Sequence, residues 1–409
     1  MPNISTTYSP ISPSERIVAL DVLRGLAILG ILMMNIQSFS MVEAAYINPS
    51  AYGDLTGINK WVWILSHIFA NQKFMTIFSI LFGAGIVLMT SRIEAKGGSS
   101  AGLHYRRTFW LILIGLIHAY LLWHGDILVT YGLCALIVFL FRKRSPKLLL
   151  ILGFASISVA ALLYLFLGFC LSFMPSDAYQ GLMHGWKPNA EIMSREISIY
   201  QGDWLKQMAH RIPSALKFQT LVFLIWYSWR AGGLMLIGMA LFKWGVLTVQ
   251  YPKRFYFMLM SIGFGFGLPI VIYGVTRNFA ANWSLDFSMF FGWQFNYWGS
   301  LFIALGYIGA VMLICKSMNT NKVTDSFAAV GRMALSNYLL QTIVCTTIFY
   351  GHGLGLFGRI ERLQQILFVI GVWVFQVIVS LIWARYFKFG PAEWLWRSLT
   401  YLSIQPMCR

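Results

Sequence analysis

Charge is what this 409-residue chain has least of: 14 Asp and Glu with 31 Lys and Arg make up only 11% of it. A soluble domain carries roughly a quarter charged residues, so a water-covered globular surface is excluded. Cysteine is scarce too. Of five, Cys134, Cys170, Cys315 and Cys345 fall in apolar runs and Cys408 lies in the tail, which gives neither a disulfide framework nor metal-ligand spacing. No metal is expected. The glycines Gly263, Gly265 and Gly267 lack the strand and βαβ context that would let them cradle phosphate. The first fifteen residues are polar, with no apolar signal core or small-residue cleavage site, so the first helix is expected to be retained.

What is abundant is apolar length. Hydrophobic residues make up 58%, and mean hydropathy is +0.67. Stretches able to cross about 30 Å of hydrocarbon run near 22–41, 73–91, 108–123, 126–141, 148–173, 219–242, 255–276, 297–315, 333–350 and 364–387. This predicts an all-α integral membrane protein, a bundle of about ten transmembrane helices with an outer amphipathic segment and a C-terminal interfacial helix. The expected organisation is a polar tail over 1–15, a membrane half over 16–173, an outward polar link over 174–217 and a second membrane half over 218–409.

The net charge of +17 falls mainly in short links between apolar runs, which excludes nucleic acid as its reason. Basic groups follow the second, fourth, sixth and eighth spans: Arg92 to Arg107, Arg142 to Lys147, Lys243 to Arg254, and Lys316 to Arg332. Positive residues stay on the cytoplasmic side, so both termini are expected there.

Polar residues inside apolar runs are the site candidates, because a buried polar group needs a partner or a ligand. In the first run Asp21 and Arg24 have helical pairing distance, and Asn35 and Gln37 interrupt its end. The outer link carries an amphipathic piece, Trp61 to Phe69, that contains His67. Lys73 opens the second run as an expected interfacial snorkel, with Ser79, Gly83, Ala84 and Gly85 set for close helix approach. Between the third and fourth runs stands Trp123-His124-Gly125-Asp126, where Asp126 could orient His124 as a base. His118 lies six residues away, off the i,i+4 face. In the link 174–217, Glu191 with Arg195 and Asp203 with Lys206 have salt-pair spacing. Arg230 is buried in the sixth run. Asn337 and Gln341 form a polar stripe one turn apart, and Glu393 and Arg397 stand i,i+4 in an aromatic terminal helix.

Together, Leu20-Asp21-Val22-Leu23-Arg24-Gly25 through Asn35-Ile36, Lys73-Phe74 through Gly83-Ala84-Gly85, His124-Gly125-Asp126-Ile127-Leu128, Gly331 through Tyr338, and Gly390 through Arg397 resemble the YeiB-like family of bacterial membrane proteins, a domain of unknown function. The Asp-x-x-Arg-Gly opening with Asn35 about ten residues on is more distantly similar to the transmembrane acyltransferase superfamily, which includes the heparan-α-glucosaminide N-acetyltransferases. That resemblance implies about ten core helices, acetyl-CoA as cytoplasmic donor, a sugar acceptor on the other side, and catalysis by an Asn at the end of the first helix with a His soon after. Asn35 matches the Asn. No histidine lies between Ile36 and Asn59, so His67 or His124 would have to take that place.

The expectation is therefore an acyltransferase of the bacterial inner membrane, moving acetyl from acyl-CoA to a cell-envelope or lipid-linked acceptor. In it Asn35, His124 and Asp126 are catalytic, Arg24 and Arg332 hold the CoA phosphates, and Arg230, Asn337, Gln341, Lys73 and His67 line the acceptor path. The rival is a transporter or flippase using the same polar groups at a midplane site. The bilayer and the acceptor are the expected partners, and oligomerisation is left open.

Overall fold

The computed structural model describes residues 16–317 and 321–408; the expected polar tail, 1–15, lies outside the described residues. Apart from a single bridge between Phe387 and Cys408, the described chain is helical. The order begins with α1 (Val18–Ser40), the short α2 (Glu43–Ile47), α3 (Gly57–Phe69), α4 (Lys73–Ala95), α5 (Ser100–Leu121) and α6 (Leu128–Val138). α7 (Pro146–Cys170) starts with proline at its first turn and Ser145 capping Leu148 N–H, a combination that fixes a helix start because the ring's missing donor would be unpaired there anyway. Three surface helices follow, α8 (Ser176–Trp186), α9 (Ala190–Tyr200) and α10 (Trp204–Lys217), then α11 (Ser228–Lys243), α12 (Lys253–Ala280), α13 (Trp293–Ser317), α14 (Lys322–Arg332), α15 (Ala334–Phe349), α16 (Arg362–Tyr386) and α17 (Pro391–Tyr401). Phe218–Tyr227, joining α10 to α11, and Leu285–Gly292, leading into α13, are wound more widely, as π-helix.

Among the described residues, seven helical stretches are long and apolar enough to cross a membrane: Val18–Ser40, Gly57–Ala95, Pro146–Phe173, Trp204–Lys243, Lys253–Ala280, Leu285–Ser317 and Arg362–Tyr386. Three of the ten expected runs fall outside this set. α5 carries His104, Arg106, Arg107 and His118, while Leu128–Phe141 and Ala334–Phe349 are shorter apolar helices. Outward apolar faces mark the rest. α7, α12 and α16 keep only about a quarter of their apolar windows buried, and α3 exposes Ile58, Trp61, Leu65 and Phe69 while burying Trp63, His67 and Ile68.

Close packing depends on glycine at several crossings, two of them reciprocal and tightest at a carbonyl. A Cβ on Gly83 of α4 would run into the Met235 carbonyl of α11, and one on Gly238 of α11 into the Ile80 carbonyl of α4. The same reciprocity joins α1 to α14, where Gly25 meets the Phe327 carbonyl and Gly331 meets that of Asp21. Backbones can approach this closely only where no side chain intervenes.

Several pairings differ from the sequence expectation. Lys73 is fully enclosed rather than snorkelling. Asp203 caps α10 by accepting from Lys206 N–H at 2.8 Å instead of pairing with the Lys206 ammonium, and no Glu191–Arg195 ion pair forms among the described residues. Glu393 turns inward, accepting from Leu335 N–H at 2.6 Å, Ser336 N–H at 3.2 Å and Ser336 Oγ at 2.5 Å. A carboxylate at the start of α15 satisfies unpaired N–H groups and meets the positive end of the helix dipole, which outcompetes a surface pair with Arg397.

Candidate functional site

At the end of the bundle where α1 begins, Arg16, Asp21, Asp325, Arg332, Arg385 and Lys388 line a cleft of about 690 Å³. Four cationic groups against two carboxylates leave it positive. Asp21 accepts from Arg24 Nη1 at 2.8 Å, the pairing expected from their spacing. Arg332 is thus in the cleft wall, and Arg24 stands behind it.

Inward from this cleft runs a ladder of buried amides on α15 and α16. Asn337 Nδ2 donates to Ser380 Oγ at 3.0 Å and to the Val330 carbonyl at 3.1 Å. Gln376 Nε2 donates to the Asn337 carbonyl at 2.8 Å, and Gln341 Nε2 to Gln376 Oε1 and to the Ile28 carbonyl, both at 2.9 Å. The one-turn spacing of Asn337 and Gln341 places both on the face that meets α16, as the sequence suggested.

The ladder ends beside a histidine. His118 of α5, Asp126 of the α5–α6 turn and Thr342 of α15 are all 1% exposed. His118 Nδ1 lies 2.8 Å from Asp126 Oδ1, and Nε2 lies 2.9 Å from Thr342 Oγ1. Asp126 Oδ2 also accepts from Val129 N–H at 2.9 Å, capping α6. An ionised carboxylate only accepts, so the network assigns the proton on Nδ1 to the Asp126 bond and leaves Nε2 to accept from the threonine hydroxyl. The expected His124–Asp126 pair is therefore corrected: Asp126 orients His118. The turn folds back on the last turn of α5, which brings residue 126 to residue 118 and points His124 away.

His124 instead belongs to a cluster at the bundle end opposite the basic cleft. Its Nδ1 lies 3.3 Å from Tyr200 Oη, and its ring is 6.3 Å from that of His210. His210 Nε2 stands 4.0 Å from Glu43 Oε2, and Glu196 accepts from Glu43 N–H at 2.8 Å. Burial holds the His124 imidazole down at about 4, against the pull of the Glu43 carboxylate. Burial also pushes the Glu196 carboxyl up to about 7, helped by Glu43's charge and opposed by its N–H. Arg211 binds this cluster's floor, donating to the Leu121 carbonyl at 2.8 Å and Gln207 Oε1 at 2.7 Å.

A second deep polar site joins α4, α11 and α13. Lys73 Nζ donates to Asn296 Oδ1 at 2.5 Å and the His67 carbonyl at 2.8 Å. Arg230 donates to Ser300 Oγ at 2.7 Å, the Tyr297 carbonyl at 3.2 Å and Thr76 Oγ1 at 3.3 Å, with its guanidinium 4.1 Å from the Tyr297 ring centre. Both cations are 0% exposed. The His67 ring stacks on Trp63 at 4.7 Å and faces Asn71 Nδ2 at 3.4 Å.

The named candidates thus separate into groups. Arg332 with Asp21 marks the cleft, Asn337 and Gln341 the ladder, and Lys73, His67 and Arg230 the second site. Asn35, on α1, is half-buried and enters no hydrogen bond with any of them. Sequence reasoning missed His118, Thr342 and Asn296. The i,i+4 rule applies within one helix, whereas His118 and Asp126 meet across a turn and Thr342 and Asn296 come from distant helices. Among the described residues no cluster of His, Cys, Asp and Glu could hold a metal ion.

Comparison with known proteins places this architecture. Residues 241–403 match the family described as "Protein of unknown function (DUF418)". The chain is 36% identical to the uncharacterized protein YeiB of Escherichia coli (strain K12) over 96% of its length and 98% of the relative's. It is 34% identical to the uncharacterized protein YxaH of Bacillus subtilis (strain 168), over 99% of both. An uncharacterized 39.9 kDa protein in the amylase 3′ region of Bacillus acidopullulyticus is 27% identical over 96% of both. With relatives at this identity matched from end to end, the chain belongs to the YeiB-like family of proteins of unknown function.

Proposed function

We propose that this chain is a membrane acyltransferase that takes an acyl group, acetyl in the first instance, from acyl-CoA at the basic cleft and passes it to a hydroxyl or amine acceptor reaching the other end of the bundle. The observation that carries this reading is the buried Asp126–His118–Thr342 relay. A histidine oriented by a carboxylate, with its free nitrogen 2.9 Å from a hydroxyl, is the arrangement that removes a proton from an attacking oxygen and then returns it to a leaving group. The cleft supports donor binding: Arg332, Arg16, Arg385 and Lys388 suit the phosphates of CoA. The amide ladder lies between the two.

In this reading His118 is the general base, Asp126 its orienting partner, and Thr342 Oγ marks the position of the attacking oxygen. We read α5, α6 and α15 as crossing the bilayer with the seven apolar stretches, which gives about ten crossings and sets the basic end, with both termini, on the cytoplasmic side of a bacterial inner membrane. The cell-envelope acceptor then meets the His124, Tyr200 and Glu196 cluster.

The test is release of CoA from acetyl-CoA by purified protein in nanodiscs, with cell-envelope lipid added. Wild type is expected to turn over. His118→Ala should lower the rate about 10³-fold or more, as loss of a base does, and Arg332→Gln should raise KM for acetyl-CoA with little change in kcat. Thr342→Val separates two routes, because activity surviving in it excludes a covalent acyl-threonine while keeping the base. No CoA release from folded wild type sinks the reading. It would then favour a transporter, supported by the deep polar site at Lys73 and Arg230, with uptake into proteoliposomes as its measurement.

A further inference from the structure

Among the described residues, the Lys73–Arg230 site contains two enclosed basic side chains and no acid. α7, α11, α12 and α13 contain no Asp or Glu, and α4 has only Glu94, near its far end, where it accepts from Ser100 and Arg142. Every acceptor that Lys73 and Arg230 meet is neutral: an amide oxygen, two hydroxyls and two carbonyls. Neutral oxygens satisfy donors but cancel no charge, and buried charges are ordinarily paired with an opposite one. Two independent details point to a missing partner. Arg230 Nε–H is buried without an acceptor, and so is the Trp283 indole N–H. Trp283 forms the wall of a narrow cavity together with His67, Asn71, Asn278 and Asn296, and Asn296 is the residue that holds Lys73 Nζ. The cavity has about 10 Å³ of room for a water centre, enough for roughly one water or an ion of that size.

We propose that the bundle binds a small monovalent anion, halide-sized, which enters past Trp283 and Asn296 and serves as the counter-charge to Lys73 and Arg230. The cavity excludes anything larger, such as a sugar acid. The lining brings together the Trp283 indole and the Asn296 and Asn71 amides, with the Lys73 ammonium behind Asn296; the Asn278 amide oxygen, buried without a donor, shares the wall. This site uses none of the residues of the transfer reading, and a failed CoA assay leaves it standing.

The experiment is thermal unfolding of the full chain in nanodiscs, exchanged into gluconate at fixed ionic strength and titrated with chloride, formate or acetate. Saturable stabilisation by chloride is expected, and the bulkier formate and acetate should give none. Arg230→Gln and Lys73→Gln should each weaken the response at least tenfold. Asn296→Asp is the informative variant, because it supplies an internal carboxylate at the Lys73 ammonium. It should unfold higher than wild type in gluconate and lose most of its anion response. Identical wild-type melting in every salt overturns the proposal, as does an Asn296→Asp protein that keeps the full response. Should Asn296→Asp not fold, unchanged anion affinity in the two glutamine variants overturns it equally.

Discussion

Two of the polar sites buried in this bundle balance charge in opposite ways. Around His118 the chain supplies everything: carboxylate, imidazole and hydroxyl close on one another within 2.9 Å, and the carboxylate's second oxygen caps α6. Around Lys73 and Arg230 it supplies cations and neutral oxygens only. The first site is complete when folded and is arranged for a proton to move. The second is incomplete in charge and is arranged for something to arrive.

The sharpest way to break this contrast is at its best-paired residue. Asp126→Ala leaves the His118 Nδ1–H and the Val129 N–H buried without acceptors, and unfolding of the purified protein should show a loss of about 1–3 kcal/mol for each of the two. Asp126→Asn should keep the fold better while still stopping the proposed acyl transfer, because an amide supports the wrong tautomer. Next comes Gly83→Ala, which wedges α4 from α11 and should cost about 1–3 kcal/mol by overpacking. It should abolish any anion-dependent shift in melting while leaving His118 chemistry in place, so equal damage to both sites would end the claim that they are separate. Lys73→Met removes a charge that no acid matches. Melting should show a cost of about 1 kcal/mol from the donor lost to Asn296 and the His67 carbonyl, clearly less than for Asp126→Ala.

The smallest effect concerns pH at the end bearing His124. The Glu196 carboxyl sits near 7 in the folded protein against an ordinary 4.5, so the folded state holds its proton more tightly than the unfolded chain. Its contribution is complete below about 4.5 and is lost as pH rises through 7. Because the side chain is partly exposed, about 1 kcal/mol is expected. Glu196→Gln should flatten the fall in melting temperature between about pH 4.5 and 7. His124, held near 4 against 6.5, acts on the other limb: its contribution is full above 6.5 and fades as pH falls through 4.

The long apolar helices were legible in the sequence because their signal is local: α1, α4, α7, α12, α13 and α16 each follow from one uninterrupted run. α5 and α15 read as comparable spans, but α5 gives its polar side chains to the interior and α15 is short, so composition separates the one and length the other. Buried polarity was legible as residue type and not as partnership. Arg230, Asn337 and Gln341 stood out as costly groups in apolar runs, yet nothing local says that Asn337 meets Ser380 43 positions away. Lys73 departs from expectation for the same reason. A lysine at a helix start normally reaches water, and only α13 folding over it places Asn296 on its ammonium. Glu393 reads as half of a surface pair until α15 arrives with open N–H groups.

The widely wound stretch Phe218–Tyr227 bears on how this family can vary in length. Where the winding is already loose, losing one residue can be absorbed by tightening the coil to an ordinary α-helix. Elsewhere in the same continuous helix, one residue lost turns everything beyond it by about 100° and would swing Arg230 off α13. Single-residue gaps among homologous chains should therefore gather in this stretch and spare the turns on either side.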